Sequence, residues 1–149
     1  MRRVLLSLLA VAAVVQLGSV GAGASSSSTR PAHRVIIPDE DRFLPYATTI
    51  HVGGSVRWTN GDSDDHTVVS DDAFNTAGHR GFDQVLPPGQ SLALSFNTPG
   101  VFVYYCRFHA TLDEYNQPKA PGPEGGIQDP DGNYGTPMSG VIIVLPNDG

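Results

Sequence analysis

The sequence predicts an all-β sandwich. Short runs of period-2 alternation recur along it, as where Val56 and Trp58 are set against Ser55, Arg57 and Thr59. Gly/Pro turns separate these runs, at Gly53-Gly54, Pro87-Pro88-Gly89 and Thr98-Pro99-Gly100. Beyond residue 24 no stretch carries a helical period.

In chain order, Met1-Arg2-Arg3 is a positive start, and residues 4–17 are apolar apart from Ser7 and Gln16. Ala22-Gly23-Ala24 follows as a small-x-small cleavage signal. Residues 1–24 therefore read as a secretory signal peptide cut after Ala24. The apolar run falls short of the roughly 20 residues a membrane-spanning helix needs, so no transmembrane segment is expected in the mature chain. The two arginines leave the export route open. No cysteine follows the run, which excludes a lipoprotein attachment site. The expected location is exported, periplasmic or extracellular.

Residues 25–32 form a polar, serine-rich flexible leader, and residues 33–149 are predicted to be one domain. Strands are read over 33–37, 48–52, 55–59, 66–70, 91–96, 101–105 and 141–145. Residues 60–65 are a turn-rich loop, residues 71–84 irregular, and residues 110–137 a long loop rich in Pro, Gly and acidic side chains. Without the signal peptide, seven Lys+Arg face fifteen Asp+Glu, a net charge of 7 − 15 = −8. Such a balance argues against nucleic acid or an anionic membrane as partner.

The chain has a single cysteine, Cys106, so no internal disulfide can form. A lone thiol in an exported protein is oxidised or cross-linked unless it is buried or ligated. Cys106 ends the apolar run after Pro99-Gly100, and His109 follows in C-x2-H spacing. His66 opens the strand after the acidic loop, and Met138 directly precedes the last strand. Two imidazoles, one thiolate and a weak thioether are the donor set of a blue-copper site. Zinc would accept Cys and two His, but structural zinc sites do not use methionine. A cysteine protease would need a separate base and an orienting group, and His109 is too close in the chain to be the usual partner.

These residues also stand in a familiar pattern. Trp58-x-Asn60, His66-Thr67-Val68, Pro88-Gly89, Pro99-Gly100-x-Phe102-x-Tyr104-x-Cys106-x-x-His109 and Met138-x-Gly140-x-Ile142-x-Val144 resemble the cupredoxins, the blue type 1 copper proteins of the plastocyanin, amicyanin and halocyanin type. The resemblance covers residues 35–109 and 138–145. It implies an eight-stranded Greek-key sandwich holding one copper at one end, with His66, Cys106, His109 and Met138 as ligands. The chain departs from the family pattern in one place: 28 residues, 110–137, separate the second histidine from the methionine. A three-ligand site, or an axial oxygen from Gln117 or Gln128, competes with Met138. The inserted loop is expected over or beside the copper end, with a mobile surface flap as the alternative.

The function implied is that of an exported one-electron carrier, a monomer working between redox partner proteins rather than an enzyme. Copper storage or delivery would use the same ligands, and a copper redox enzyme is the third class. Multicopper enzymes couple the cysteine to a second centre through flanking histidines. Here Tyr105 and Arg107 flank Cys106, and no His-x-His motif exists. Tyr105 could relay an electron, but packing is the simpler reading, as it is for Trp58. His33, His51 and His79 read as ordinary strand or surface residues. Asp129-Pro130-Asp131-Gly132-Asn133 lacks the glycine placement and the Glu of an EF-hand, and reads as a solvated acidic turn.

Overall fold

The chain forms two sheets, and its apolar residues meet between them. A computed structural model describes residues 31–70, 81–128 and 135–148. The signal peptide read over 1–24, residues 25–30 of the leader, His79 and the acidic turn at 129–133 lie outside the described residues. One sheet has the order β1 (His33–Ile37), β3 (Gly54–Asn60), β6 (Ser91–Phe96). The other has the order β2 (Ala47–His51), β10 (Ser139–Leu145), β7 (Gly100–Tyr105), β4 (His66–Ser70), β5 (Phe82–Leu86). The pairs β1–β3 and β2–β10 are parallel and the other pairs antiparallel. Strands β1 to β4 cross between the sheets in turn, as do β5 to β6 and β6 to β7, while β4–β5 and β7–β10 stay in one sheet, which gives the eight-stranded Greek-key sandwich the resemblance implied.

Alternation does the packing. Val35 and Ile37, Val56 and Trp58, Phe102 and Tyr104, and Ile142 and Val144 point inward from four strands into one buried cluster. Trp58 is fully buried there, edge-on to Tyr104 at a centroid distance of 5.4 Å, which supports the packing role read for it. Strand β4 does not alternate: all five of its residues are buried. Val68 faces the core, while Val69 packs on its other side with Tyr105, Ala110 and Leu112. Tyr105 is thus a packing residue on the outer face of the sheet.

Two expectations need correction. Residues 82–84, read as irregular, belong to β5. This strand pairs only with β4 and leaves Asp83, Gln84 and Val85 exposed, so it lacks the alternation that marks a half-buried strand. The long insertion is also not a plain loop. It carries a hairpin of β8 (Thr111–Leu112) and β9 (Pro118–Lys119). The Asp113 carboxylate shapes its tip by accepting the N–H groups of Tyr115 and Gln117, both at 2.8 Å.

Gly140 pairs with Tyr104 across β10 and β7. A Cβ at position 140 would lie 2.5 Å from both Cζ and Oη of Tyr104. The glycine is there because the aromatic ring lies over the neighbouring backbone. Gly140→Ala should therefore lower stability by about 1–3 kcal/mol, the usual penalty of overpacking. Urea unfolding checks this, and an unchanged midpoint would mean that the ring is free to move aside.

Candidate metal centre

Strand β7 ends at Tyr105, and the chain turns at once: the His109 N–H donates to the Cys106 carbonyl at 3.2 Å. The turn brings His109 Nδ1 to 3.8 Å from Cys106 Sγ. His66, the first residue of β4, places its own Nδ1 3.8 Å from the same sulfur. Donor atoms of His66, Cys106 and His109 all lie within 4.8 Å of one another. Two donors each about 2.0–2.3 Å from one ion stand this far apart when they subtend roughly 120°.

Met138 reaches the same place through its backbone. The Cys106 N–H donates to the Met138 carbonyl at 3.0 Å, and the Met138 N–H donates to the His109 carbonyl at 3.2 Å. The residue is fully buried in the same cluster as Cys106. The 28-residue excursion therefore starts and ends beside the cysteine turn. Gln117 and Gln128, the alternative oxygen donors, are both exposed and stand outside this group. His33 is exposed at the start of β1, and His51 bonds the Pro146 carbonyl at 3.0 Å at the far end of β2.

The electrostatics favour a thiolate. Burial opposes ionisation of Cys106, but the imidazoles of His109 and His66 and the N–H groups of Thr67 and Phe108 outweigh it, holding the thiol down at about 5. The Thr67 N–H donates to Sγ at 3.3 Å, and the Thr67 hydroxyl accepts the Arg107 N–H at 2.8 Å. For His66, burial favours the neutral ring, but the thiolate and the carboxylates of Asp62 and Asp41 override it and raise its pKa. The His109 pKa is likewise raised by Cys106, against a smaller opposing effect of burial.

Two further residues belong to the site and were missed in the sequence. Asp62 Oδ2 lies 3.2 Å from His66 Nε2, on the side of the ring away from the sulfur-facing nitrogen. It sits in a loop organised by Asn60, whose Nδ2 donates to the Asp64 and Leu86 carbonyls, both at 2.8 Å. Asn60 Oδ1 accepts the Asp62 N–H at 2.9 Å. Burial raises the Asp62 carboxyl, but the hydrogen bonds from His66, Ser63 and Asp64 prevail and lower it. The signal for Asp62 was present: a carboxylate four residues before the histidine, in a Gly- and Asn-containing turn. Asp41, in the loop after β1, is 25 residues before His66 and gave no such signal. Its Oδ1 lies 3.5 Å from His109 Nδ1 and 3.7 Å from His66 Nε2. Burial pushes its carboxyl up, and both imidazoles only partly reverse this.

The insertion lies beside this end of the molecule, as expected. Ile127 packs against the core cluster, and the Gln128 N–H donates to the Glu40 carbonyl at 3.0 Å, next to Asp41.

No protein-family profile matches the chain. Plastocyanin of Scenedesmus fuscus is 31% identical over 72 residues, covering 45% of this chain and 74% of that protein. The chain belongs to the cupredoxins, of the plastocyanin/amicyanin type. The chloroplastic plastocyanin of Tetradesmus obliquus is 35% identical over 72 residues, 45% of this cupredoxin, which spans only 50% of that relative. Amicyanin of Paracoccus versutus is 29% identical over 119 residues, 68% of this chain and 85% of that one. The P. versutus amicyanin structure superposes with a TM-score of 0.50 at 23% identity, covering 76% of this chain and 81% of that chain. A copper-containing nitrite reductase from Thermus scotoductus shares the fold, with a TM-score of 0.52 and 20% identity over 79% of this chain but 23% of that one. The cofactor of this cupredoxin is one type 1 copper, and its clustered imidazole and thiolate donors fit such an ion.

A carboxylate behind a ligand imidazole fixes its tautomer and orientation, so Asp62→Asn should weaken copper binding about 10–100-fold. Because metal uptake must displace protons from imidazoles that hold them more tightly than usual, wild-type affinity should fall as pH drops through the raised histidine range. Competition with a chelator across pH measures both effects. Equal affinity in the variant would remove Asp62 from the site.

Proposed function

We propose that this cupredoxin is an exported one-electron carrier whose copper is held by His66, Cys106, His109 and Met138. The observation that carries the reading is the buried His66–Cys106–His109 group, closed by the backbone bonds of Met138 to Cys106 and His109. Bound copper supplies a one-electron couple between Cu(II) and Cu(I). Thiolate and thioether favour the reduced ion, and imidazole serves both states. Cys106 and Met138 are fastened to neighbouring strands, and His66 to the head of β4, so the donors hold one geometry through the cycle. His66 is fully buried, whereas the His109 side chain is 22% exposed. The ring edge of His109 is thus the exit for the electron, beside the exposed Phe108. The working partners are redox proteins, a donor and an acceptor. Tyr105 and Arg107 flank the cysteine where a coupled second copper centre would need histidines, which favours carriage over catalysis.

Copper-loaded protein should be intensely coloured when oxidised and should bleach on reduction, and Cys106→Ser should abolish the colour, because the absorption requires charge transfer from the thiolate. A wild type that binds Cu(II) and stays pale would overturn the reading.

Met138 is tested by its effect on potential. Met138→Leu removes a weak donor and should raise the reduction potential, while Met138→Gln supplies a harder oxygen and should lower it. If spectroelectrochemistry finds neither potential nor spectrum moved in either variant, Met138 is not bound to the copper.

A further inference from the structure

We infer that Asp41 is a buried counter-ion shared by the two ligand histidines, which biases the centre toward its oxidised state by charge alone and without binding copper; the inference rests on the ligand set proposed above. Asp41 is only 3% exposed. Its Oδ1 lies 3.5 Å from His109 Nδ1 and 3.7 Å from His66 Nε2, so one oxygen serves both rings. The rings are neighbours, with centroids 5.1 Å apart. Neither approach is a hydrogen bond, since Oδ1 is buried without such a partner. His66 Nε2 is bonded instead to Asp62 Oδ2, at 3.2 Å. Asp41 therefore contributes charge where Asp62 contributes a hydrogen bond. Arg42, the next residue, pairs with Glu40, and among the described residues the ion partners of Asp41 are the two imidazoles. A carboxylate taken out of water is costly unless positive charge stands beside it. The fold places this one against the two histidines of the His66–Cys106–His109 group, where a cation is to be held.

The backbone holds the carboxylate in this position by a conformation the residue does not ordinarily adopt. Asp41 has φ of 51°, in the left-handed region that non-glycine residues seldom occupy. Its loop is closed on one side by reciprocal backbone bonds between Ile36 and Leu44, at 2.7 and 2.8 Å. On the other side the insertion holds it through the Gln128 N–H and the Glu40 carbonyl. The chain therefore maintains an uncommon backbone geometry, fixed from two directions, at the residue whose carboxylate lies against both histidines.

The centre carries one more positive charge when oxidised than when reduced, so a fixed negative charge nearby favours Cu(II). Removing that charge should raise the reduction potential. A buried charge is screened little by salt, whereas an exposed one is screened strongly. Asn and Gly both tolerate the left-handed backbone, so Asp41→Asn and Asp41→Gly are the variants to make, and the second stands in if the first fails to fold. Asp39→Asn removes an exposed carboxylate from the same loop and serves as the control. Each is loaded with copper and examined by spectroelectrochemistry, at low and at high salt, and by electron paramagnetic resonance. The expected result is at least a tenfold loss of preference for Cu(II) in the Asp41 variants, about 59 mV for a one-electron couple. The shift should persist at high salt, with the copper hyperfine splitting unchanged. Asp39→Asn should leave the potential where it is. Asp41 variants whose potential matches that of Asp39→Asn would overturn the inference, as would a shift that high salt abolishes. Altered hyperfine splitting would also overturn it, since Asp41 would then act through the coordination of the metal and not through charge. A colourless wild type would instead sink the ligand set beneath it.

Discussion

The two backbone hydrogen bonds that Met138 makes with the cysteine turn are the constraint on which the centre depends. They join the end of β7 to the approach of β10, and the antiparallel ladder between those strands continues from the same point. Everything between positions 109 and 138 can then be long without moving either end. Closing a loop of 28 rather than about 4 residues costs roughly 1.7 kcal/mol, which burial of Ile142 and Val144 in the ladder readily offsets. The hairpin recovers more, because Ala110 and Leu112 cover Val69 and Tyr105 on a sheet face that would otherwise be open.

That cover explains how far the fold could be read from the sequence. Where one face of a strand meets the core and the other meets water, alternation marked it: β3 and β6 are of this kind. Strand β4 was legible for another reason, since its β-branched run Thr67-Val68-Val69 follows a turn-rich loop, and the strand is buried on both faces. Strand β5 was not legible, because an edge strand with three successive exposed residues has no two-sided contrast to display. The hairpin escaped notice since two-residue strands are too short to establish any period.

The site divides along similar lines. Cys106 and His109 were visible because one turn carries both, and His66 and Met138 because each stands at the start of a readable strand. Asp62 and Asp41 act through space, from loops whose composition resembles any acidic turn. What distinguishes Asp62 is the Asn60 scaffold that seats it, and what distinguishes Asp41 is a backbone angle. The Asn60 scaffold leaves a trace in residue type, in the turn four residues before His66, whereas the backbone angle of Asp41 leaves none. Both carboxylates converge on histidines, so the buried negative charge of this acidic protein is concentrated where a cation belongs.

The unequal exposure of the two histidines makes the molecule one-sided. With His66 and Cys106 sealed inside, the surface edge of His109 is the patch through which the centre meets the outside. Random collisions with another protein mostly strike elsewhere on the sandwich, and such orientational restriction is what brings association far below the diffusion limit. Under the carrier reading proposed above, the rate of exchange would be set by how often a partner finds that patch, and a fast centre would gain nothing from being made faster.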